Sequence, residues 1–599
     1  MTTAHTKKDY KLGGSFLVEE HELAAVFTPE EFTEDDYMLV QATDEFMEAE
    51  VVPKIKQLAL GNNADMVALL KQAGELGFLS GEIPEEYGGM EMKKSVVTLL
   101  SEKIVKDAGF AVSAGAHTGI GTMPITYFGT KEQKDRYLPR LSTGELLAAY
   151  ALTETSSGSD ALNARTRAVL TEDGKHYVLN GSKMWITNAG FADIFVVFAK
   201  IDGKDFTAFI VERGYEGVSV GAEEKKMGIK SSSTRLLVLE DVKVPVENLL
   251  GKQGEGHKIA FNILNIGRFK LGGSCVGTSK LALEKSTRYA IDRRAFDRSI
   301  SEFGLIQHKL AEIAVQTFAQ ESMSYRTAGL IDDILDGVKF GQEGAEETML
   351  KGIREYAIEC ALAKFFCTDS LDYVVDEAVQ IHGGYGYSQE YDVERYYRDS
   401  RINRIFEGTN EINRLLSVDM LLKKAMKGEL PILSKVQSLM GEILGLPSFD
   451  MDEDTSFMAD EKKMVENAKK VTLFLSGVGV QKFMEKLENE QELLALAADL
   501  LALTYVMESM LLRTLKQAER GGEASAQLMG KMVSIFFHDA MEKIATIGKT
   551  GLAAIEEGDN LLTMMAAMRR LTKHKPVNTI ALRREIAAEV IKAEGYPLK

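Results

Sequence analysis

Cysteine is scarce in this 599-residue chain: Cys275, Cys360 and Cys367 are the full complement, and none belongs to a CxxC pair. Such usage fits a reducing compartment better than a disulfide framework. Cys360 and Cys367 lie seven residues apart on a predicted helix, a spacing that suits buried packing rather than metal or redox work. Positive charge is short as well, with 71 Lys and Arg against 89 Asp and Glu and a net charge of -18. A nucleic-acid partner calls for a basic face, so that class is excluded. The N-terminal MTTAHTKKDYKLGGSF has no apolar h-region and is not a secretory signal. The most apolar helical stretch, residues 493–515, is broken by Asp499 and Glu508. A membrane span needs about 20 largely apolar residues, so a buried helix is expected, and with it a soluble, cytoplasmic protein.

Two nucleotide-binding signatures are missing. GKT at 548–550 ends like a P-loop, but Lys543 stands where that motif needs a glycine. No GxGxxG follows a strand and opens a helix, which argues against a nicotinamide Rossmann domain. His382 has no second ligand nearby, so packing is expected there and no metal site.

What is present divides the chain by the period of its apolar residues. Several domains are needed, because single cores stop growing at about 250–300 residues. Residues 1–34 are polar and irregular and read as an arm packed on the surface. Residues 35–149 carry a helical period through Met38, Val40, Phe46 and Val51, then at 66–78 and 96–108. A further helix at 130–144 is expected to stop near Pro139. Residues 150–255 switch to short apolar or β-branched runs at 177–180, 194–200, 206–212, 218–221 and 236–239. Such runs between glycine-containing turns predict an antiparallel β-domain. Residues 256–425 return to helices, expected at 257–278, 280–290, 305–333, 344–370 and 373–382. Residues 426–461 form a linker whose acidic part, PSFDMDEDTSFMAD at 447–460, reads as exposed. Residues 462–599 read as an additional all-α domain. The fold class is α+β and multidomain.

Chemistry concentrates in QIHGGYGYSQEYDVERYYRDSRINRIFEGTNEINR at 380–414. Gly383, Gly384 and Gly386 let backbone amides approach a phosphate without a Cβ in the way. Glu407 lies between Ile405-Phe406 and Gly408. An acid in an apolar setting has its charged form disfavoured, which suits a base near neutral pH. YALTETSSGSD at 150–160 offers the hydroxyls of Thr153, Ser156, Ser157 and Ser159 and the approachable amide of Gly158. KMWITN at 183–188 holds the one tryptophan, Trp185, a flat platform.

These motifs, in this order over roughly residues 40–420, closely resemble the signatures of the acyl-CoA dehydrogenase family. The resemblance implies an N-terminal α bundle, a central antiparallel β-domain and a four-helix-bundle α domain, with FAD as cofactor. It implies that Tyr150, Leu152, Thr153, Ser159, Trp185, Ile186 and Thr187 line FAD, Thr187 near flavin N5 and Trp185 shielding one ring face. RRAF at 293–296, with EFGLIQ at 302–307, resembles the family's RxxFG…Q segment. Arg293 would then neutralise the cofactor pyrophosphate, with Phe296 beside the adenosine portion and Gln307 in the same site. Asp297 replaces the family's usual glycine there. Gln380, Ile381, Gly383, Gly384, Thr409 and Glu411 complete the implied cofactor list. In the family the 293–307 and 380–384 segments reach a neighbouring subunit's FAD, which implies at least a dimer.

Substrate contacts implied in the same way are Ser159, Asn265, Arg268, Phe406 and Gly408. One family branch carries its base immediately before the arginine. Gly267 occupies that position and cannot serve, so Glu407 is the expected catalytic base. The implied reaction is α,β-dehydrogenation of a medium- to long-chain acyl-CoA thioester to the trans-2-enoyl-CoA, as in fatty acid β-oxidation. Electrons would pass to an electron-transfer flavoprotein. The C-terminal extension is most similar to that of very-long-chain acyl-CoA dehydrogenases, where it accompanies a homodimer. Peripheral membrane contact is not favoured, because anionic lipid would repel the acidic run at 450–454. Two alternatives stay open: an oxidase that passes electrons to oxygen, and a mainly scaffolding protein on the same fold.

Overall fold

The hydroxyl of Thr33 accepts the Asp36 amide while the Asp36 carboxylate accepts the Thr33 amide, and this capping box starts α1, Glu34–Phe46. The computed structural model describes residues 11–444 and 454–598. Helices α2 (Ile55–Leu58), α3 (Asn63–Glu75), α4 (Lys94–Lys103), α5 (Ala108–Gly115), α6 (Met123–Phe128) and α7 (Lys131–Ser142) complete the first helical layer. Contrary to expectation, α7 runs through Pro139. A proline inside a helix costs about 3 kcal/mol. Tyr137, Leu138 and Leu141 are buried on the same helix, and each such burial contributes about 1.5–3 kcal/mol. Packing wins.

Strands β1 (Ala148–Ala151), β2 (Arg167–Leu170), β3 (His176–Thr187), β4 (Ile194–Ile201), β5 (Asp205–Glu212), β6 (Val218–Glu223), β7 (Thr234–Pro245) and β8 (Leu249–Leu250) form one sheet. Their order is β6-β7-β3-β2-β4-β5-β8, with β1 pairing β4. The sheet is not wholly antiparallel, because both β1 and β2 run parallel to β4. These two strands escaped the sequence reading, being only four residues long. Alternate residues of β4 enter two different cores: Ile194, Val196 and Phe198 face the helices, while Phe195, Val197 and Ala199 face the sheet's own interior. A strand covered on both faces reads as an unbroken apolar run. Tyr150 on β1 faces the helical side.

The second helical layer begins with α8, Gly256–Asp292, a single helix where two had been expected. Gly273 and Gly277 on it face α4, where an added Cβ would stand 2.7 Å from the Thr98 carbonyl and 2.2 Å from the Glu102 carbonyl. A hairpin of β9 (Arg294–Ala295) and β10 (Arg298–Ser299) leads to α9 (Gly304–Leu335). Then come α10 (Ala345–Glu355), α11 (Ala357–His382), α12 (Asp392–Ser400) and α13 (Asn410–Met426). The break after α10 falls at Tyr356 rather than near residue 372. Tyr356 is buried and its hydroxyl donates to the Lys11 carbonyl, while Leu371, Val374, Val375 and Ala378 keep α11 continuous against the core.

Beyond these, α14 (Ile432–Leu444), α15 (Ala459–Phe483), α16 (Gln491–Gly521), α17 (Gln527–Ile555), α18 (Gly558–Leu571) and α19 (Thr579–Ala593) share one continuous apolar core with α9, α11 and α13. By length and composition α16 could cross a membrane, yet 78% of its most apolar window is buried in the protein. The described part of the N-terminal arm is not a surface strap. Ser15, Phe16, Leu17 and Val26 are buried, and Phe16 and Leu17 lie in the shared core. Two apolar side chains overrode the polar average of the segment. Residues 1–10 of the arm and residues 445–453, with half of the acidic 447–460 segment, lie outside the described residues.

Candidate active site

The turn between α12 and α13 is left-handed at two consecutive residues, with φ of 57° at Glu407 and 81° at Gly408. A non-glycine residue in that region carries about 1–2 kcal/mol of strain. Polar groups from three helices hold it in place. From α8, Arg268 Nε donates to the Glu407 carbonyl at 3.2 Å, and its Nη1 to Asn265 Oδ1 at 2.7 Å. From α13, Asn413 Nδ2 donates to the carbonyls of Gly408 at 2.8 Å and Thr409 at 3.0 Å. From α11, Lys364 Nζ donates to the Gly408 carbonyl at 2.7 Å and to Asn410 Oδ1 at 2.7 Å. Thr409 caps α13 by accepting the Ile412 amide at 3.3 Å. Lys364 and Asn413 were not anticipated; the signal for Lys364 is a lone lysine inside the apolar run ALAKFF.

Glu407 Oε2 is shielded from solvent and has no hydrogen-bond partner among the described residues. Burial raises its carboxyl pKa, and the charges of Arg268 and then Lys364 oppose the rise without cancelling it. The carboxylate lies over Gly267, where an added Cβ would stand 2.5 Å from Oε2. The Tyr150 hydroxyl is likewise buried without a partner among the described residues. Burial and then the charge of Glu407 push that phenol well up. Two unpaired buried polar groups close enough to interact mark a place for a polar ligand. The backbone N–H of Glu407 is also not engaged by any carbonyl of the described chain.

A second wall comes from the β-domain. A register shift between Lys183 and Ile186 throws Trp185 out of the strand alternation, at φ 59° and 59% exposed. Bulges of this kind re-aim a side chain. The Met184 amide donates to the Thr153 carbonyl at 2.8 Å, which sets the 152–154 segment beside the indole. Ile186 is buried, and Thr187 closes the strand opposite Thr234. Glu154 anchors the loop that follows. Its carboxylate accepts the amides of Arg165 at 2.6 Å and Thr166 at 3.0 Å, the Thr166 hydroxyl at 2.6 Å and Lys183 Nζ at 2.7 Å. Burial draws the Lys183 ammonium down to about 8 despite this partner. Ser159 sits exposed on the same loop.

The remaining predicted residues gather elsewhere. Phe296 and Asp297, at φ 52° and 64°, make the two-residue turn between β9 and β10, so aspartate supplies the left-handed position that glycine was expected to fill. The Arg294 guanidinium donates to the Asp297 carbonyl at 2.7 Å. The Phe296 ring is 89% exposed. Arg293 lies over the Tyr385 ring at 5.4 Å, next to Gly383 and Gly384, where an added Cβ would meet nothing within 4 Å. His382 stacks on Tyr289 and bonds to the Ala378 carbonyl. Gln307 donates to the Ser301 carbonyl, Gln380 is exposed and Ile381 is buried, whereas Glu411, exposed on the first turn of α13, stays with the Glu407 turn. This cluster is not brought to Glu407. From Lys364 to His382 along α11 is 18 residues, about 27 Å at 1.5 Å per residue.

The donor set therefore suits a flat aromatic ligand against Trp185 and a polar group with a carbonyl acceptor against Glu407. An anionic group suits the open glycines beside Arg293.

Residues 33–145 match the family described as acyl-CoA dehydrogenase, N-terminal domain, residues 149–242 its middle domain, and residues 254–422 and 467–570 two families described as acyl-CoA dehydrogenase, C-terminal domain. A probable acyl-CoA dehydrogenase of Bacillus subtilis (strain 168) is 50% identical over 98% of this chain and 99% of its own length. A crystal structure of an acyl-CoA dehydrogenase complexed with FAD from Bacillus anthracis superposes with a TM-score of 0.95 at 50% identity, covering 98% of this chain and all of that one. The very long-chain specific acyl-CoA dehydrogenase of Rattus norvegicus mitochondria is 44% identical over 57% of this chain and 51% of its own length.

Proposed function

This chain belongs to the acyl-CoA dehydrogenase family, and we propose that it dehydrogenates medium- to long-chain acyl-CoA thioesters to trans-2-enoyl-CoA with Glu407 as the base. The single observation that carries this reading is the Glu407 carboxylate oxygen, closed off from water, unpaired, and seated over Gly267. The enzyme is FAD-dependent; the groups beside Trp185, Thr153 and Thr187 fit the flavin ring, and the FAD-complexed relative supports it. When bound, FAD supplies the acceptor for the hydride that leaves the substrate β-carbon.

The chain's own residues do the rest. A thioester α-proton is too weakly acidic for an ordinary carboxylate, so charge developing on the carbonyl oxygen needs a preorganised donor. The unengaged Glu407 N–H is that donor. Arg268 fixes the Glu407 carbonyl, which orients the N–H on the other side of the residue. Exclusion of water raises the carboxyl pKa toward working pH, so its basicity is better matched to the proton it takes.

The similarity to very long-chain specific relatives supports the longer substrates and a role in fatty acid β-oxidation. Electron-transfer flavoprotein as acceptor, a homodimer in which the cluster of Arg293, Phe296 and Gly383 serves the partner copy's FAD, and a cytoplasmic location belong to the same reading. The separation of that cluster from Glu407 supports the dimer.

Glu407→Gln should retain FAD and bind acyl-CoA, yet reduce its flavin at least about 10²–10⁴-fold more slowly under anaerobic conditions. Normal bleaching by this variant would place the base elsewhere. A panel of short- to very-long-chain acyl-CoA fixes the substrate range. Peroxide yield against reduction of an electron-transfer flavoprotein separates dehydrogenase from oxidase.

A further inference from the structure

We propose that Lys364 is a positioning residue for the reaction: in its charged form it holds the 407–409 turn from α11 and so keeps the Glu407 carboxylate ionised and aimed at the substrate. The inference rests on the reading of Glu407 as the base. Lys364 is fully buried in the middle of α11. It donates to the Gly408 carbonyl and to Asn410 Oδ1, both at 2.7 Å, and so ties the left-handed turn and the first residue of α13 to one ammonium. Asn410 is pinned back onto α11 in turn, donating to Thr368 Oγ1 at 2.9 Å and Asp369 Oδ1 at 2.8 Å. A charged donor is about twice as strong as a neutral one at such a carbonyl.

The groups facing Lys364 come from every side. The turn presents Glu407, α8 presents Arg268 and Cys275, α11 presents Asp369, and α13 presents Asn410. Arg268 stays cationic. The Cys275 thiol is pushed well up by burial and stays neutral. Asp369 is paired with Arg414 at 2.8 Å. That leaves Glu407 and Lys364 as the two groups whose charge changes across the working range. Burial brings the Lys364 ammonium down to about 8, against the raising charge of Glu407. Loss of its proton removes one of the two cations that hold Glu407 ionised, and weakens the clamp on the Gly408 carbonyl. A pH profile of flavin reduction then has an acid limb set by Glu407 and an alkaline limb set by Lys364.

The test uses flavin-loaded wild type, Lys364→Gln and Lys364→Arg. Anaerobic stopped-flow reduction by acyl-CoA is followed across pH. Infrared difference titration of the Glu407 carboxyl band, assigned with Glu407→Gln, is run alongside. In Lys364→Gln the Glu407 titration should rise by about one pH unit or more. The acid limb should move with it, the plateau rate should fall about tenfold, and the alkaline limb should vanish. In Lys364→Arg, whose guanidinium does not titrate, the alkaline limb should move upward while the acid limb stays. An unchanged Glu407 titration and pH profile in Lys364→Gln overturns the proposal. Should Lys364→Gln not be recovered with flavin, Lys364→Arg decides: an alkaline limb left in place overturns it. The infrared titration reports Glu407 whether or not it is the base, so failure of that assignment shows separately, as normal bleaching by Glu407→Gln.

Discussion

Gly267 and Glu407 compete for one volume. The helix that carries Arg268 presents a bare backbone to the carboxylate, and an added methyl would stand 2.5 Å from Oε2. That oxygen is the free end of a flexible chain, so in Gly267→Ala the carboxylate yields and the fold does not. Alanine also gains about 0.5–1 kcal/mol of helix propensity over glycine. The expected outcome is an unchanged or higher melting temperature with flavin reduction slowed about 10²-fold, the effect of a displacement near 1 Å. Calorimetry and stopped-flow reduction check it; undiminished reduction would mean that the carboxylate is not held against Gly267. At this scale the sequence was informative. It put Glu407 in an apolar setting and showed that Gly267 could not be the base. It did not show that the missing Cβ makes room for the carboxylate, because 140 residues separate the two positions.

Elements place what residues cannot place alone. The bulge in β3 turns Trp185 outward, and the Glu154–Lys183 pair fixes the loop that faces it. Both partners are buried, and removing one member of such a pair costs about 3 kcal/mol or more. Glu154→Gln should therefore lower thermal stability by about that amount. It should also weaken FAD retention about tenfold, because Arg165 and Thr166 lose their charged acceptor. Apoprotein fraction and flavin titration read the result; full FAD retention would remove the loop from the cofactor site. The motif TETSSGSD was legible, but Glu154 passed unremarked, since its partner Lys183 lies 29 residues on, in β3. Helix ends were less legible than helix faces. Pro139 suggested a stop that buried side chains overrode, and the break expected near residue 279 of α8 is absent because Ser279, Ala282 and Leu283 are buried across it.

Across the whole molecule, one buried charge network joins parts distant in sequence. Arg513 on α16 pairs with Glu30 of the N-terminal arm at 2.6 Å and with Glu321 on α9 at 2.6 Å. Lys280 on α8 bridges Glu321 and Glu102 of α4, and the Tyr596 hydroxyl donates to Glu321 at 2.9 Å. Burial would raise the Glu321 carboxyl, but Arg513 and Lys280 hold it down to about 2. Its folded value thus lies below its unfolded one near 4.3. The stabilisation is present above that unfolded value and is lost as pH falls through the folded one. Arg513→Leu should cost about 3–5 kcal/mol at neutral pH by leaving Glu321 and Glu30 under-compensated. The deficit should shrink as pH falls toward 3. Melting temperatures of both proteins across pH test this; a deficit independent of pH would assign the loss to packing alone.

Periodicity, read along the chain, was enough to show where helices give way to strands and return, and the motifs' resemblance to a known family supplied the layered architecture and singled out Glu407. These depend on neighbours within a few turns of backbone, where local sterics and burial are decided. Which cations face that acid, which arm residues join the core and how far the Arg293 cluster stands from the base were settled only when the chain closed on itself. Charge and packing across helices act through distance in space, and Lys364 meets Gly408 across 44 residues of sequence as closely as a helical neighbour would.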